Sequence, residues 1–134
     1  MRVEPGDIDQ LGHVNNVVYL RWVQDAAVAH WHAAAAPQDQ VNLFWVVVRH
    51  EIDYLRPAQA QDTIVARTWV GEASPRRFDR HTEILRVEDG RVLARVRTVW
   101  CPMDRETGRP TDVSPDVRTR FSVPAAQFES RADD

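Results

Sequence analysis

With 134 residues, 43% of them apolar and 28% charged, the chain is long enough to bury one core without disulfide or metal staples. A net charge of −3 gives no electrostatic case for nucleic acid, and the single cysteine, Cys101, excludes an intrachain disulfide framework. No apolar run reaches the roughly eighteen residues of a membrane span and no signal peptide opens the chain, so a cytoplasmic protein is expected.

In chain order, Arg2 to Gly6 reads as the end of a short first strand, interrupted by Pro5. From Asn16 to about Ala36 the pattern is helical: Tyr19, Val23, Ala26, Ala27, His30 and Trp31 recur at three- and four-residue spacing until Pro37. This is the one long helix expected, and it is too apolar to stand free. After the polar turn Gln38-Asp39-Gln40, every remaining element reads as a strand. Leu43 to Leu55 alternates from Val46, with Val46, Val48, His50, Ile52 and Tyr54 on one face. Thr63 to Val70 sets Ile64, Ala66 and Thr68 against Val65 and Trp69. In Arg77 to Val87, Phe78, Thr82 and Ile84 share a face with Arg80 between them. The Asp89-Gly90 pair marks a tight hairpin, and Val92 to Cys101 follows with Val92, Ala94, Val96, Thr98 and Trp100 on one face and Leu93 and Val99 on the other. Asp104 to Ser114 reads as a polar loop, Phe121 as the last core residue, and Pro124 as the start of a fraying tail. One helix and four long strands joined by short connections predict an α+β domain in which an antiparallel sheet covers the helix. That domain spans 1–123, with 124–134 as a C-terminal tail.

Chemistry concentrates in Gly6-Asp7-Ile8-Asp9-Gln10-Leu11-Gly12-His13-Val14-Asn15-Asn16, which places carboxylates, a histidine and two carboxamides just before the long helix. Such a cluster reads equally as an elaborate N-cap or as a site, because a helix start offers unused N–H donors to an oxyanion. A carboxylate held there is a credible base or nucleophile for acyl chemistry. Asn15 and Asn16 are natural cap residues, and Asp7 reads as a turn residue. Other chemistries are unsupported. His30 and His32 lie two apart on a helix and do not face one another, His50 and His81 stand singly on strands, and no metal or cofactor is called for. Glycine-rich phosphate loops and a G-x-S-x-G elbow are both lacking.

The run Asp7-x-Asp9-x-x-Gly12-His13-Val14-Asn15-Asn16-x-x-Tyr19 followed by a helix resembles the opening of the hotdog-fold acyl-CoA thioesterases, in the 4-hydroxybenzoyl-CoA thioesterase-like branch. Val48 to Ala58, Trp100-Cys101-Pro102-Met103-Asp104 and Thr107-Gly108-Arg109-Pro110 extend the similarity from about Val3 to about Phe121. The resemblance implies a helix wrapped by a curled antiparallel sheet, and a homodimer or homotetramer with sites at the subunit interface. It also implies a thioester hydrolase in which Asp9 is the base or nucleophile and the Asn16 backbone N–H polarises the carbonyl. His13 takes the place of a histidine that belongs to the catalytic network of the plant acyl-carrier-protein branch. Asn15 and Tyr19 are expected beside the substrate, although one turn into a helix Tyr19 reads more readily as core.

There are departures from the pattern. Pro5 and Asn16 stand where one bacterial branch has a tyrosine and a histidine, and Leu11 where the carrier-protein enzymes have an asparagine. The expected substrate is an acyl-CoA. The rival readings are an acyl-acyl-carrier-protein thioesterase and a non-catalytic hotdog protein that binds an acyl thioester. Arg56, Arg76, Arg77, Arg105 and Arg109 suit CoA phosphates by residue type. Trp22, Trp31, Phe44, Trp45 and Trp69 suit an acyl pocket, with core packing as the competing role.

Overall fold

The structure is a computed structural model that describes residues 1–121 and 128–130. Its long helix, α1 (Asn16–Ala34), opens with Asn15 as N-cap, whose side-chain oxygen accepts the Val17 N–H, and ends ahead of Pro37. Where a polar turn is expected, Pro37–Asn42 forms a short helix, α2, because proline at the first position is pre-organised for one. The strands are β1 (Leu43–Tyr54), β2 (Ile64–Ser74), β3 (Arg77–Arg86) and β4 (Val92–Asp104). A further helix, α3 (Pro115–Phe121), was not expected; Ser114 accepts the Val117 N–H at its start. The expected first strand contracts to one bridge, Arg2 with Thr63, followed by a 3-10 turn at Pro5–Asp7.

With Phe128–Ser130 as β5, all pairings among the described residues are antiparallel, in the order β1-β4-β3-β2-β5. Strands β2, β3 and β4 form a meander, but β1 pairs with β4 instead of its successor. The connection 55–63 therefore crosses past the start of α1, and this crossing positions the site described below. Strand β5, which pairs with β2, lies in the stretch expected to fray. The rest of that expected tail lies outside the described residues.

The sheet's inner face receives the stripe of α1. Trp22, Val23 and Ala26 pack with Ile64, Ala66, Ile84, Leu93, Ala94 and Val96 in one cluster. A second cluster at the other end of the helix joins Val70, Phe78, Val117 and Phe121 to Trp31, Trp45 and Trp100. Two irregularities alter the expected faces. A bulge between Val47 and Arg49 shifts the phase of β1, so Trp45 packs against Trp31 and Phe78 on the helix side while Val46 and Val48 are exposed. Another, between Ile84 and Leu85 opposite β4, leaves Leu93 and Ala94 both buried, although alternation alone puts them on opposite faces.

Among the described residues, Arg80 is the charge most deeply buried within this inner face. Arg80 is 5% exposed, and its Nη1 donates to His30 Nδ1 at 2.8 Å and to Thr68 Oγ1 at 3.1 Å. Burial, aided by the guanidinium charge, pulls His30 down to about 4, so the ring is neutral at pH 7 and accepts through Nδ1. The unfolded chain binds a proton on His30 below about pH 6.5 that the native state refuses until about pH 4. Native stability contributed by this residue is therefore present above pH 6.5 and lost as pH falls towards 4. Thermal unfolding followed across that window should show the wild type losing stability with acidification more steeply than His30→Gln, which cannot titrate.

Candidate active site

The loop before α1 closes on itself. Ile8 bridges Val14, and the Asp9 N–H donates to His13 O at 2.8 Å. Gly12 supplies the left-handed backbone at the tip, with φ +80. The Asp9 carboxylate helps hold this turn: Oδ1 accepts the N–H of Leu11 at 2.8 Å and of His13 at 3.3 Å. Oδ2 meets no hydrogen-bond or ionic partner among the described residues. One carboxylate oxygen is thus fixed while the other is available to a water or an acyl carbon, and the side chain is half-buried.

Asp7 is the buried member of the carboxylate pair. It is 4% exposed; Oδ2 accepts the Glu4 N–H at 2.9 Å, Oδ1 meets Arg21 Nη2 at 3.1 Å, and its carbonyl accepts the Asn15 N–H at 2.7 Å. With both oxygens occupied, Asp7 ties the N-terminal segment to the helix start, in agreement with its reading as a turn residue.

The crossing segment 55–63 braces the loop from behind. His13 bridges Gln59, the Val14 N–H donates to Ala58 O at 3.0 Å, and the Ala58 N–H donates to the Tyr19 hydroxyl at 2.9 Å. Tyr19 is 2% exposed, edge-on to Trp22 and Tyr54, and burial raises the pKa of its phenol. The side chain backs the loop from within the core. Asn15 spends its side-chain oxygen on the cap. The Asn16 N–H, first in the helix, has no acceptor among the described residues, while the Asn16 carbonyl accepts the Tyr54 hydroxyl at 3.2 Å. The His13 ring is half-buried and forms no hydrogen bond among the described residues.

The aromatic residues expected to shape an acyl pocket separate into three places. Trp22 is core, at 1% exposure, and Trp69 stacks on His81 away from the helix. Trp31, Phe44 and Trp45 line a cavity of about 220 Å³ beside the C-terminal half of α1. Of the arginines suited to phosphate, Arg76 pairs with Asp112 at 2.7 Å, and Arg105 donates to the carbonyls of Val41 and Leu43 and lies over Phe44. The alternation of β3 had already carried a signal for Arg80, a charge in phase with Phe78, Thr82 and Ile84. Its cavity was invisible until β1 and α1 were folded against that face. Among the described residues, no group of three or more His, Cys, Asp or Glu is placed to hold a metal ion, and no helix is long and apolar enough to cross a membrane.

Residues 3–121 match the thioesterase-like superfamily, and the chain belongs to it. Among curated relatives, a chloroplastic acyl-[acyl-carrier-protein] hydrolase of Cuphea viscosissima is 32% identical over 77 residues, covering 58% of this chain and 19% of that protein. A chloroplastic palmitoyl-acyl carrier protein thioesterase of Cuphea hookeriana is 29% identical over 111 residues, 76% of this chain and 27% of that protein. The chain thus spans about a fifth to a quarter of the length of these relatives. Among solved structures, a 1,4-dihydroxy-2-naphthoyl-CoA thioesterase from Synechocystis superposes with TM-score 0.78 at 20% identity, covering 94% of this chain and 95% of that one. A thioesterase from Thermus thermophilus, complexed with coenzyme A and Zn, gives TM-score 0.78 at 25% identity, with 92% and 96% covered. The hotdog fold implied by the opening motif is the fold observed.

The hydroxyl of Tyr19 is the acceptor on which the Ala58 N–H depends. Tyr19→Phe should leave that buried donor orphaned and lower stability by about 1–3 kcal/mol, read from urea denaturation.

Proposed function

We propose that the protein hydrolyses an acyl-CoA thioester to the free acid and CoA at the loop that leads into α1. The observation carrying this reading is the divided Asp9 carboxylate, with Oδ1 spent on the turn and Oδ2 open, on the segment that delivers the unused Asn16 N–H. Asp9 Oδ2 takes a proton from water as the water oxygen attacks the thioester carbon. The carbonyl electron pair moves onto oxygen, where the Asn16 N–H and the positive end of α1 stabilise it. Collapse reforms the carbonyl and breaks the C–S bond. The thiolate leaves without a strong acid, since a free thiol has a pKa near 8.5, and takes up the proton. In the nucleophilic variant Oδ2 attacks the carbon itself, and water then cleaves the mixed anhydride. His13 is the residue beside Asp9 best able to orient the water. Membership of the superfamily and the CoA in the Thermus structure support this substrate class.

The curated matches favour a second substrate reading, in which the acyl group is presented on acyl carrier protein. Asp9→Asn keeps an oxygen for the Leu11 and His13 N–H groups and removes the base. It should retain wild-type thermal stability while thiol release falls by roughly 10²–10⁴-fold. Equal rates in wild type and variant would remove Asp9 from the mechanism. The same acyl groups carried on CoA and on carrier protein, assayed side by side, decide between the two substrates. If neither is turned over but the thioester binds, the chain is a binding protein.

We further propose that the active unit is a homodimer or a homotetramer. Supporting this, β1 is a sheet edge without a further strand among the described residues, and it exposes Val46, Val48 and Tyr54, with Leu55 beyond its end. Leu11, 80% exposed, and Val17, 69% exposed, add apolar surface beside the Asp9 loop. Light scattering after gel filtration should return at least twice the chain mass, and Val48→Asp should shift it towards the single chain with loss of turnover. A wild-type monomer that is fully active would overturn the oligomeric reading.

A further inference from the structure

The cavity beside the C-terminal half of α1 begins at Ala27, about 16 Å along the helix axis from Asn16. At about 220 Å³ it is smaller than the roughly 300–1,000 Å³ of drug-sized sites, which limits an occupant to one ring or a short chain. Its walls are aromatic: Trp31, Phe44, Trp45, Phe78 and Trp100. His32, Gln40 and Arg105 also border it, Arg105 being exposed and donating to the carbonyls of Val41 and Leu43, whereas the one deeply buried cation is Arg80, at 5% exposure.

Arg80 is incompletely used. Nη1 meets His30 and Thr68, both neutral, and the remaining guanidinium donors have no acceptor among the described residues. No carboxylate pairs with it among those residues either. Burial lowers Arg80 to about 10, which still leaves it charged at neutral pH. The indole N–H groups of Trp45 and Trp100 are also buried without an acceptor among the described residues. An isolated cation in a low-dielectric wall is unfavourable, and a carboxylate accepts from an arginine fork in good geometry.

We propose that this cavity is a binding site for a small apolar carboxylate, its ring or chain held among the tryptophans and its anionic end on Arg80. The site itself is independent of the role of Asp9, since it concerns binding and not turnover; only the source of its carboxylate rests on the proposed function. The carboxylate arrives either as a free acid or as the far end of a dicarboxylic acyl thioester.

Three of the chain's five tryptophans line the cavity, so intrinsic fluorescence reports its occupancy. Cyclohexanecarboxylate titrated into the full chain should give a saturable change, and cyclohexanecarboxamide, close in shape but neutral, should bind at least ~tenfold more weakly. Arg80→Met should abolish that preference and Arg80→Lys keep part of it, with circular dichroism confirming the fold. Should Arg80→Met fail to fold, the acid-against-amide comparison in the wild type still decides. Equal affinity for acid and amide, no response to either, or undiminished preference in folded Arg80→Met would each overturn the proposal. The source is read in Asp9→Asn, where the thioesters persist. If the adipic monothioester of CoA displaces cyclohexanecarboxylate and hexanoyl-CoA does not, the carboxylate is the far end of an acyl chain. If neither displaces it, the ligand is a free acid. Both results uphold the site.

Discussion

Burial of one apolar stripe of α1 against the inner face of the sheet is the constraint on which the rest of this molecule depends. Trp22, Val23 and Ala26 have almost no exposed surface, and the helix that carries them would not persist alone in water. Covering both ends of a helix ~28 Å long takes long strands, and β1 to β4 each run for 10 to 13 residues. Once the helix lies across that face, its N-terminus is held at one end and Trp31 at the other. The Asp9 loop and the aromatic cavity are therefore two consequences of one packing decision.

At the N-terminal end the chemistry is arranged by hydrogen bonds that leave selected groups unspent. Asp7 has both oxygens committed and behaves as a structural tie. Asp9, two residues later, has one oxygen committed and one open. The difference comes from position: Asp7 faces the helix and meets Arg21, while Asp9 faces the turn and meets only backbone donors. The crossover of 55–63, forced by the pairing of β1 with β4, lends Ala58 and Gln59 as a rigid backing, and Tyr19 anchors that backing to the core. A site braced in this way keeps its open groups oriented without using them.

At the other end, the low-dielectric wall gives a single guanidinium unusual weight. On the sheet's charged outer face, Arg67, Arg95 and Arg97 meet Glu83, Asp79 and Glu51, and such partly solvated pairs each contribute little. Arg80 points inward among aromatic rings with a neutral histidine for a neighbour. Its charge is hardly screened, and that is what makes it selective for an anion.

Periodicity settled much of the architecture. The three-and-four spacing from Tyr19 to Trp31 and the alternation in four later segments set one helix against an antiparallel sheet, because side-chain direction follows backbone period. The Asn15-Asn16 pair also marked the start of that helix, since capping chemistry is local. The short helices α2 and α3 were missed, being only 6 and 7 residues long, too short for a periodic signal. Only the tertiary structure decided the rest: the bulges that separate Val48 from Ile52 and bury Leu93 beside Ala94, the pairing of β1 with β4, the bond from Ala58 to the Tyr19 hydroxyl, and the meeting of Arg80 with His30. Those outcomes depend on contacts between residues far apart in the chain, and a local pattern carries no record of which distant surface will arrive.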